Sequence, residues 1–390
     1  MALMAILVEQ VTAVGYFIFY ALAFFAVLTV VVFVHELGHF LVARWCGVDI
    51  EAFSIGFGKE IGGFNDRHGT RWKFCWVPLG GYVKFMDDED ASSSGTGKSA
   101  ESMTEEQRAG AFHLKPIWQR AAVVAAGPIA NFIFAILVFA IMFMTLGVRT
   151  TAPKVDKVLP DMPAAEAGIQ AGDVIREING TAIRSFMDLQ RFVGTSLGQE
   201  LKVTVDRNGQ NVELTMTPRA QEFDDGMGGK AKRGMIGIQR AARPENYVER
   251  WPGPVEALWL GVKDTHFIIA STLGYIRDIF IGRQDTSQIG GLPHIAETTK
   301  QIIDISPQRI PYLIGAISVT IGLINLFPIP LLDGGHLMFY ALEAVRRKPL
   351  GARTQEYAFR FGLALVVALM IYANVYRGIP VIATWFERLG

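Results

Sequence analysis

The sequence predicts a polytopic α-helical membrane protein that carries an α+β domain outside the membrane. Hydrophobic residues make up 51% of the 390 residues, and only 19% are charged. The mean hydropathy of +0.29 is also too high for an ordinary soluble protein. Lys+Arg and Asp+Glu are equal at 37 each, and no basic, aromatic-rich stripe is present. We therefore expect a lipid bilayer around the chain and no nucleic acid as a partner.

Four segments are predicted to cross the membrane, because each has about the 20 apolar residues that the hydrocarbon layer requires. The first lies between Glu9 and His35 and contains no charge; the others are 121–148, 311–332 and 357–376. The N-terminus lacks a basic region and a cleavage site, which favours a retained span over a signal peptide. Residues 254–281 are apolar but carry recurring charges, which favours an interfacial helix, with a further span as the open alternative.

The orientation of these spans follows from the basic loop EAVRRKPLGAR, residues 343–353. Short basic loops stay on the cytoplasmic side, and nothing basic precedes the first span. The N-terminus and residues 149–310 are therefore expected outside. At 1.5 Å per residue, His35 and Asp333 each follow about 22 residues of apolar helix, so they are expected at matching depth near the cytoplasmic end.

The motif HELGHF, residues 35–40, predicts a zinc site on the first span. On a helix, His35 and His39 lie four residues apart on one face, where both imidazoles can bind one zinc ion. Glu36 would lie beside the metal as the catalytic base. Ionisable groups at membrane depth are costly and are usually functional.

A catalytic zinc ion takes three protein ligands, and Asp333 is the best candidate for the third. Pro328 and Pro330 precede it and cannot both continue a regular helix, so the third span is predicted to unwind there. Unwound backbone at this depth is tolerated where protein or a water-lined cavity satisfies it. Gly334 and Gly335 would then let the chain turn sharply and present the carboxylate.

Other metal-binding residue types are weaker candidates. His336 follows the predicted ligand Asp333 closely and is the competing ligand, although a structural role is favoured. Cys46 and Cys75 lie far apart and form no CxxC pair, so neither a disulfide framework nor a thiolate metal site is predicted.

Three motifs in order resemble the site-2 protease family of intramembrane zinc metalloproteases, peptidase family M50. They are HELGHF in the first span, AGPIANF (residues 126–132) in the second and NLFPIPLLDGG (residues 325–335) in the third. The order of spans, cytoplasmic loop and outer domain is most similar to the bacterial branch called regulator of sigma-E protease, and it covers nearly the whole chain. A location in the bacterial inner membrane follows from this resemblance.

The resemblance implies that His35, His39 and Asp333 hold Zn²⁺ and that Glu36 activates water for attack on a peptide carbonyl. Asn325 matches a family asparagine that holds the substrate backbone, with helix packing as the alternative. Gly127 is expected to serve close packing or a kink. The further substrate-binding candidates are Pro328, Pro330, Asn131, Gly56 and Gly58.

The loop after the first span contains SIGFG (residues 54–58) and the β-type run TRWKFCWVPLGGYVKF (residues 70–85). In the family, a similar membrane-associated β-hairpin pairs with the substrate as an added strand, and a plain surface hairpin is the alternative. Residues 87–107 are charged and serine-rich, which indicates a flexible linker.

The outer segment alternates apolar and polar residues, and PAAEAGIQAGDVIREINGTAI (residues 163–183) resembles a bacterial PDZ domain. Such domains bind peptides along a strand edge or gate access to the active site, and both roles stay open. One copy fits here, whereas the sigma-E branch carries two.

The predicted organisation has eight parts along the chain. They are the first transmembrane helix (1–44), the cytoplasmic loop with its β-hairpin and linker (45–119), the second helix (120–149), the PDZ domain (150–241), the amphipathic helices (242–309), the third transmembrane segment (310–336), the basic loop (337–356), and the fourth helix with the C-terminal tail (357–390).

These features predict an intramembrane zinc endopeptidase that cleaves transmembrane segments of single-pass proteins, such as anti-sigma factors or signal-peptide remnants. The alternative is a membrane-anchored PDZ adaptor with a non-catalytic metal site. A metal transporter fits less well, because the second span offers little polar chemistry beyond Asn131.

Overall fold

The computed structural model describes residues 2–86, 103–224, 230–241, 247–284, 286, 289–348, 350–376 and 378–379. Most of the predicted linker lies outside these residues. The chain begins with helix α1, Ala2–Trp45, which contains the entire first apolar segment and the HELGHF motif. The prediction that this motif is helical is therefore confirmed. Gly47, with φ +66°, ends the helix and turns the chain into the following strand.

The loop after α1 forms strands β1, Ile50–Asn65, and β2, Arg71–Phe85. Strand β2 lies on both sides of the first half of β1, since Ser54 pairs with Tyr82 on one side and Lys73 on the other. The element is therefore broader than a simple hairpin. Its buried face, which includes Phe53 and Val83, joins the apolar core that α1 shares with the next membrane helix.

Helices α2, Glu105–Gly110, and α3, Ile117–Leu146, follow. Helix α3 packs closely on α1. A Cβ atom at Gly38 would lie only 2.4 Å from the carbonyl oxygen of Ala126, so the contact has no room for a side chain there. Small residues allow this approach of two membrane helices. Pro128 lies inside α3 and leaves one carbonyl of the preceding turn without its helical donor.

The domain after α3 combines short strands with two helices around its own core. Its elements are β3 Val148–Thr151, β4 Lys157–Val158, α4 Pro163–Glu166, β5 Val174–Ile178, β6 Thr181–Ala182, α5 Phe186–Thr195, β7 Leu201–Arg207, β8 Gln210–Met216, β9 Arg219–Asp224, β10 Lys230–Met235, β11 Ile238–Gln239 and β12 Tyr247–Arg250. The main sheet has the order β6-β5-β7-β8. Strand β12 returns to pair with β3. Ile175, Val203 and Leu189 bury the sheet face against α5.

Helices α6, Pro254–Phe280, and α7, Leu292–Ile305, lead back to the membrane helices. Gly261 of α6 lies against the backbone of Ile136 in α3. Residues 254–281, which are apolar with recurring charges, thus pack on a membrane helix through one face of α6. Asp264, buried on that face, accepts two hydrogen bonds from the guanidinium of Arg191 in α5, at 2.6 and 3.4 Å.

The last part of the chain comprises α8, Ile310–Asn325, α9, Asp333–Arg346, and α10, Ala352–Ile371. Residues 326–332 between α8 and α9 are not helical, as the two prolines predict. Asp333 therefore begins a new helix instead of ending a continuous span. Leu331, with φ +101°, redirects the backbone immediately before α9. A Cβ atom at Gly334 would lie 2.3 Å from the Leu326 carbonyl oxygen, so glycine is required there.

Among the described residues, three helices have the length and apolar composition needed to cross a membrane. They cover residues 18–45, 117–146 and 353–375. Helix α8 is apolar but only 16 residues long. The expectation of four spans and their sidedness therefore stays a prediction.

Asp173 allows a test of what stabilises the domain of β3 to β12, which we call the outer domain after its predicted location. Its carboxylate is almost fully buried and accepts two hydrogen bonds of 2.8 Å from Arg207. The Arg207 hydrogen bonds hold the pKa of Asp173 below its ordinary value. A lowered folded-state pKa stabilises the domain above the unfolded value of about 3.9, and this stabilisation is lost as pH falls through the folded pKa.

We expect Arg207→Leu to destabilise the outer domain at pH 7, because it leaves a buried carboxylate unpaired, and to have less effect near pH 2. Hydrogen exchange at Val203 and Val205 in the full chain measures this difference. Arg176→Leu is the control, since Arg176 makes an exposed ion pair with Asp206. Equal effects of Arg207→Leu at both pH values would contradict the assignment.

Candidate metal centre

Helix α1 presents two imidazoles to one point. The Nε2 atoms of His35 and His39 lie 3.2 Å apart, as the four-residue spacing on one helical face predicts. His35 is buried and His39 is nearly so. Two ring nitrogens that face each other in a buried place need a shared proton or a cation between them.

Asp333 brings the third ligand atom from the start of α9. Its Oδ2 lies 3.2 Å from Nε2 of His35 and 3.5 Å from Nε2 of His39. Two ligand atoms bound tetrahedrally at 2.0–2.1 Å are about 3.3 Å apart, so the three observed separations fit one zinc ion. Oδ2 is also buried and has no partner of hydrogen-bond geometry among the described residues. The donor set and its orphaned oxygen thus fit zinc.

Helix α3 forms the wall behind the two histidines. A Cβ atom at Gly127 would lie 2.3 Å from Nε2 of His39 and 2.9 Å from Cε1 of His35. Any side chain at this position would occupy the space of the ligand rings. Gly127 therefore clears the metal site, a role more specific than the helix packing or kink expected from the sequence.

Glu36 lies next to the three ligands along α1 but is not one of the three convergent groups. It points toward β2, where a Cβ atom at Gly81 would lie 3.2 Å from its Cγ. The backbone amide of Val83 faces its carboxylate. The strand thus holds the carboxylate beside the ligand cluster, and neither Gly81 nor Val83 was singled out from the sequence.

Two asparagines also reach the histidines. The side-chain nitrogen of Asn325, the last residue of α8, lies 3.4 Å from Nε2 of His35 and so borders the metal side of the ring. Asn131 lies on the opposite side of the ring, 3.2 Å from Nδ1, and is fully buried. The structure thus brings both predicted asparagines to His35, but on different sides of it.

The remaining predicted residues belong to strand β1 and to the stretch before α9. Gly56 and Gly58 have φ values of +88° and +89° and form the bend in β1, where Gly56 faces the Val77 carbonyl. Pro328 and Pro330 belong to the unwound stretch before α9. Their predicted contact with substrate is not tested by these positions.

His336, the competing ligand, is not part of the convergent group. Its ring instead contacts Phe359 of α10, with 5.5 Å between centroids. Cys46 and Cys75 are free thiols and are likewise not in this group.

An ion pair between α3 and α9 was not predicted from the sequence. Arg120 donates to Glu343 at 2.8 Å and lies over the ring of Tyr340. This contact fixes the helix that carries Asp333 against the helix that backs the histidines. The two charges lie 223 residues apart in sequence, so no local pattern indicates their pairing.

Comparison with known proteins identifies the family. The family model described as Peptidase family M50 matches residues 23–369, which include all three ligands. The chain belongs to this family. It is accordingly a zinc metalloprotease and a membrane protein, and zinc is its metal cofactor.

Two relatives align with this chain over nearly its full length. The chain is 44% identical to "Putative zinc metalloprotease Atu1380" of Agrobacterium fabrum, over 93% of this chain and 96% of the relative. It is 39% identical to Metalloprotease MmpA of Caulobacter vibrioides, over 89% of this chain and 92% of the relative.

Among solved structures, the PDZ domain of the SdrC-like protein from Listeria innocua is similar. The two sequences are 27% identical, and the match covers 23% of this chain and 91% of the Listeria chain, with a TM-score of 0.19.

Gly127→Ala tests the metal centre of the protease. The added methyl group would overlap His39, so we expect zinc affinity to fall at least as far as after loss of an outer hydrogen bond to a ligand, about 10- to 100-fold. Competition with a chromophoric chelator in detergent measures this affinity. Gly15→Ala in α1 is the matched control, because nothing lies within 4 Å of its added Cβ. Unchanged affinity in Gly127→Ala would contradict the proposed position of the ion.

Proposed function

We propose that the protease is an intramembrane endopeptidase that cleaves peptide bonds within transmembrane segments of single-pass membrane proteins. The observation that carries this proposal is the position of the three ligands. His35 and His39 lie on an apolar helix that is long enough to span a bilayer, and Asp333 follows the apolar helix α8. A centre placed there meets peptide bonds that soluble proteases do not reach.

His35, His39 and Asp333 are proposed to hold the zinc ion, which when bound supplies the Lewis acidity that activates water and polarises the scissile carbonyl. Glu36 is proposed as the general base. Its carboxylate takes the proton from the attacking water and then delivers it to the leaving amine.

Asn325 is proposed to orient the substrate. Its amide nitrogen borders the ligand cluster, 3.4 Å from Nε2 of His35. A donor in this place can bind a substrate carbonyl oxygen and hold it near the cluster. The unwound prolines 328 and 330, next to Asp333 in the chain, are proposed to leave room for an extended peptide.

Strand β2 is proposed to prepare the substrate for cleavage. A transmembrane helix hides its amides, so it must unwind before a carbonyl can be attacked. The segment around Gly81 and Val83 lies directly beside Glu36, where an added strand could exchange helical hydrogen bonds for strand pairing. The bend at Gly56 and Gly58 would then shape the strand that receives the substrate.

Glu36→Gln tests the catalytic assignment. Loss of a general base costs about 10²- to 10⁴-fold in rate, while the isosteric amide should preserve the fold and zinc affinity. The measurement is cleavage of a purified single-pass substrate in detergent, with mass spectrometry of the products. Glu249→Gln, an exposed position in the outer domain, serves as the control.

Two outcomes of this assay would contradict the proposal. Cleavage by the Glu36→Gln variant at the wild-type rate would remove Glu36 from the mechanism. Products that end outside the apolar segment, or equal cleavage of a soluble substrate, would show a protease that acts outside the membrane.

The topology is proposed from the basic residues after α9. The basic loop lies in the cytoplasm, and the outer domain, a PDZ domain by resemblance, lies in the periplasm of a bacterial inner membrane. There it would bind peptides or limit access to the active site.

The proposed sidedness predicts how the outer domain responds to added protease. We expect digestion of this domain in intact spheroplasts and protection in inverted vesicles, because only the former expose the periplasmic face. Immunoblotting of a tag placed between β8 and β9 reads the result. Protection in spheroplasts with digestion in inverted vesicles would reverse the orientation.

A further inference from the structure

Each histidine of the metal centre has a second ring nitrogen that faces α3. Nδ1 of His39 lies 2.9 Å from the backbone carbonyl oxygen of Val123. Nδ1 of His35 lies 3.2 Å from the side-chain nitrogen of Asn131. The same helix therefore contacts the outer nitrogen of both ligands.

These contacts bear on which nitrogen of each ring carries the proton. A neutral imidazole has one N–H, and a ring that binds a metal through Nε2 must carry its proton on Nδ1. That N–H then needs an acceptor, because a buried donor without a partner is destabilising. The Val123 carbonyl oxygen can only accept, so it holds His39 in the tautomer that binds metal.

For His35, the acceptor must come from Asn131. The Asn131 side chain is fully buried, and its Oδ1 is buried without a hydrogen-bond partner in the part of the chain that the structure describes. Its Nδ2 faces Nδ1 of His35, and because an amide nitrogen only donates, this arrangement suits the tautomer in which Nδ1 accepts and the ring proton is on Nε2. Rotation of the amide by a half turn presents Oδ1 to Nδ1 instead.

We infer that Asn131 is a positioning residue, which orients His35 and selects its metal-binding tautomer by accepting a hydrogen bond from Nδ1–H at Oδ1. An amide can serve both tautomers, because it donates from one end and accepts at the other. Ligand histidines are commonly oriented through the outer nitrogen in this way. This role replaces substrate binding for Asn131, since the side chain has no exposed surface.

The surroundings of Asn131 fix its backbone in place. Ser318 of α8 donates from Oγ to the Asn131 carbonyl oxygen at 2.9 Å. Gly322, one turn later on α8, would place a Cβ atom 3.1 Å from the Cβ of Asn131. Close packing of α8 thus holds the backbone and the Cβ of Asn131 in place beside His35.

The inference rests on the proposed zinc ligands, and zinc affinity tests it without a protease assay. The full chain is purified in detergent, stripped of metal and titrated with zinc against a chromophoric chelator. Asn131→Leu keeps the branching and the number of heavy atoms of the side chain but has no acceptor, so we expect zinc affinity to fall about 10- to 100-fold. Asn131→Asp keeps an acceptor toward Nδ1, so its affinity should stay within about threefold of the wild type or increase.

Ser318→Ala is the matched control. It removes a contact to the Asn131 backbone between α3 and α8 but leaves the amide beside His35. Zinc affinity within about threefold of the wild type is expected. If Asn131→Leu does not fold, Asn131→Ala replaces it with the same expected loss, and thermal unfolding of the metal-free proteins confirms the fold.

Several results would overturn the inference. Wild-type affinity in Asn131→Leu would show that no acceptor is needed. An equal loss in Asn131→Asp and Asn131→Leu would show that Asn131 acts by packing alone. A wild-type protein that binds zinc but does not cleave transmembrane substrates would contradict the proposed function and leave this inference intact, whereas a wild-type protein without zinc affinity would contradict both.

Discussion

The close contact between helices α1 and α3 is the constraint on which the rest of the structure depends. Gly38 of α1 lies against the Ala126 carbonyl, and Gly127 of α3 leaves room for both histidine rings. Because the two backbones approach so closely, the rings of His35 and His39 lie directly on α3. Their inner nitrogens then meet at the point that Asp333 reaches from α9. A larger residue at either glycine would separate the helices and the ligands together.

The same helix connects the metal centre to the other parts of the protein. Arg120 and Glu343 hold the start of α3 against α9, and Asn131 packs beneath α8. Helix α6 lies along α3 and contacts the domain of β3 to β12 through the pair of Arg191 and Asp264. The Asp264 carboxylate of this pair is buried, whereas Arg191 is partly exposed, so the two hydrogen bonds offset the cost of removing the carboxylate from water. The outer domain is thereby fixed to the helix bundle rather than tethered to it by a loop.

The sheet of β1 and β2 contributes to the metal centre in a different way. It supplies no metal ligand, but the segment of Gly81 and Val83 borders Glu36. A carboxylate at the end of a flexible side chain needs such contacts to stay beside the reacting atoms. The sheet of β1 and β2 thus borders Glu36, the proposed general base, and under the proposed function it would also offer a strand edge to an unwound substrate. The sequence suggested only the second of these tasks.

The candidate ligands on α1 and the broken helix before Asp333 could both be predicted from the sequence, because both depend on local rules. A four-residue spacing puts His35 and His39 on one helical face wherever the helix lies, and two prolines interrupt a helix in any surroundings. The sequence also determined the membrane character of the chain through uncharged segments. Only the tertiary structure decided that Gly127 clears the ligand space, that Asn131 faces the outer nitrogen of His35, and that Arg191 reaches Asp264. These contacts join residues from different helices. Which residues meet depends on how the helices pack, and the spacing of residues along the sequence does not predict it.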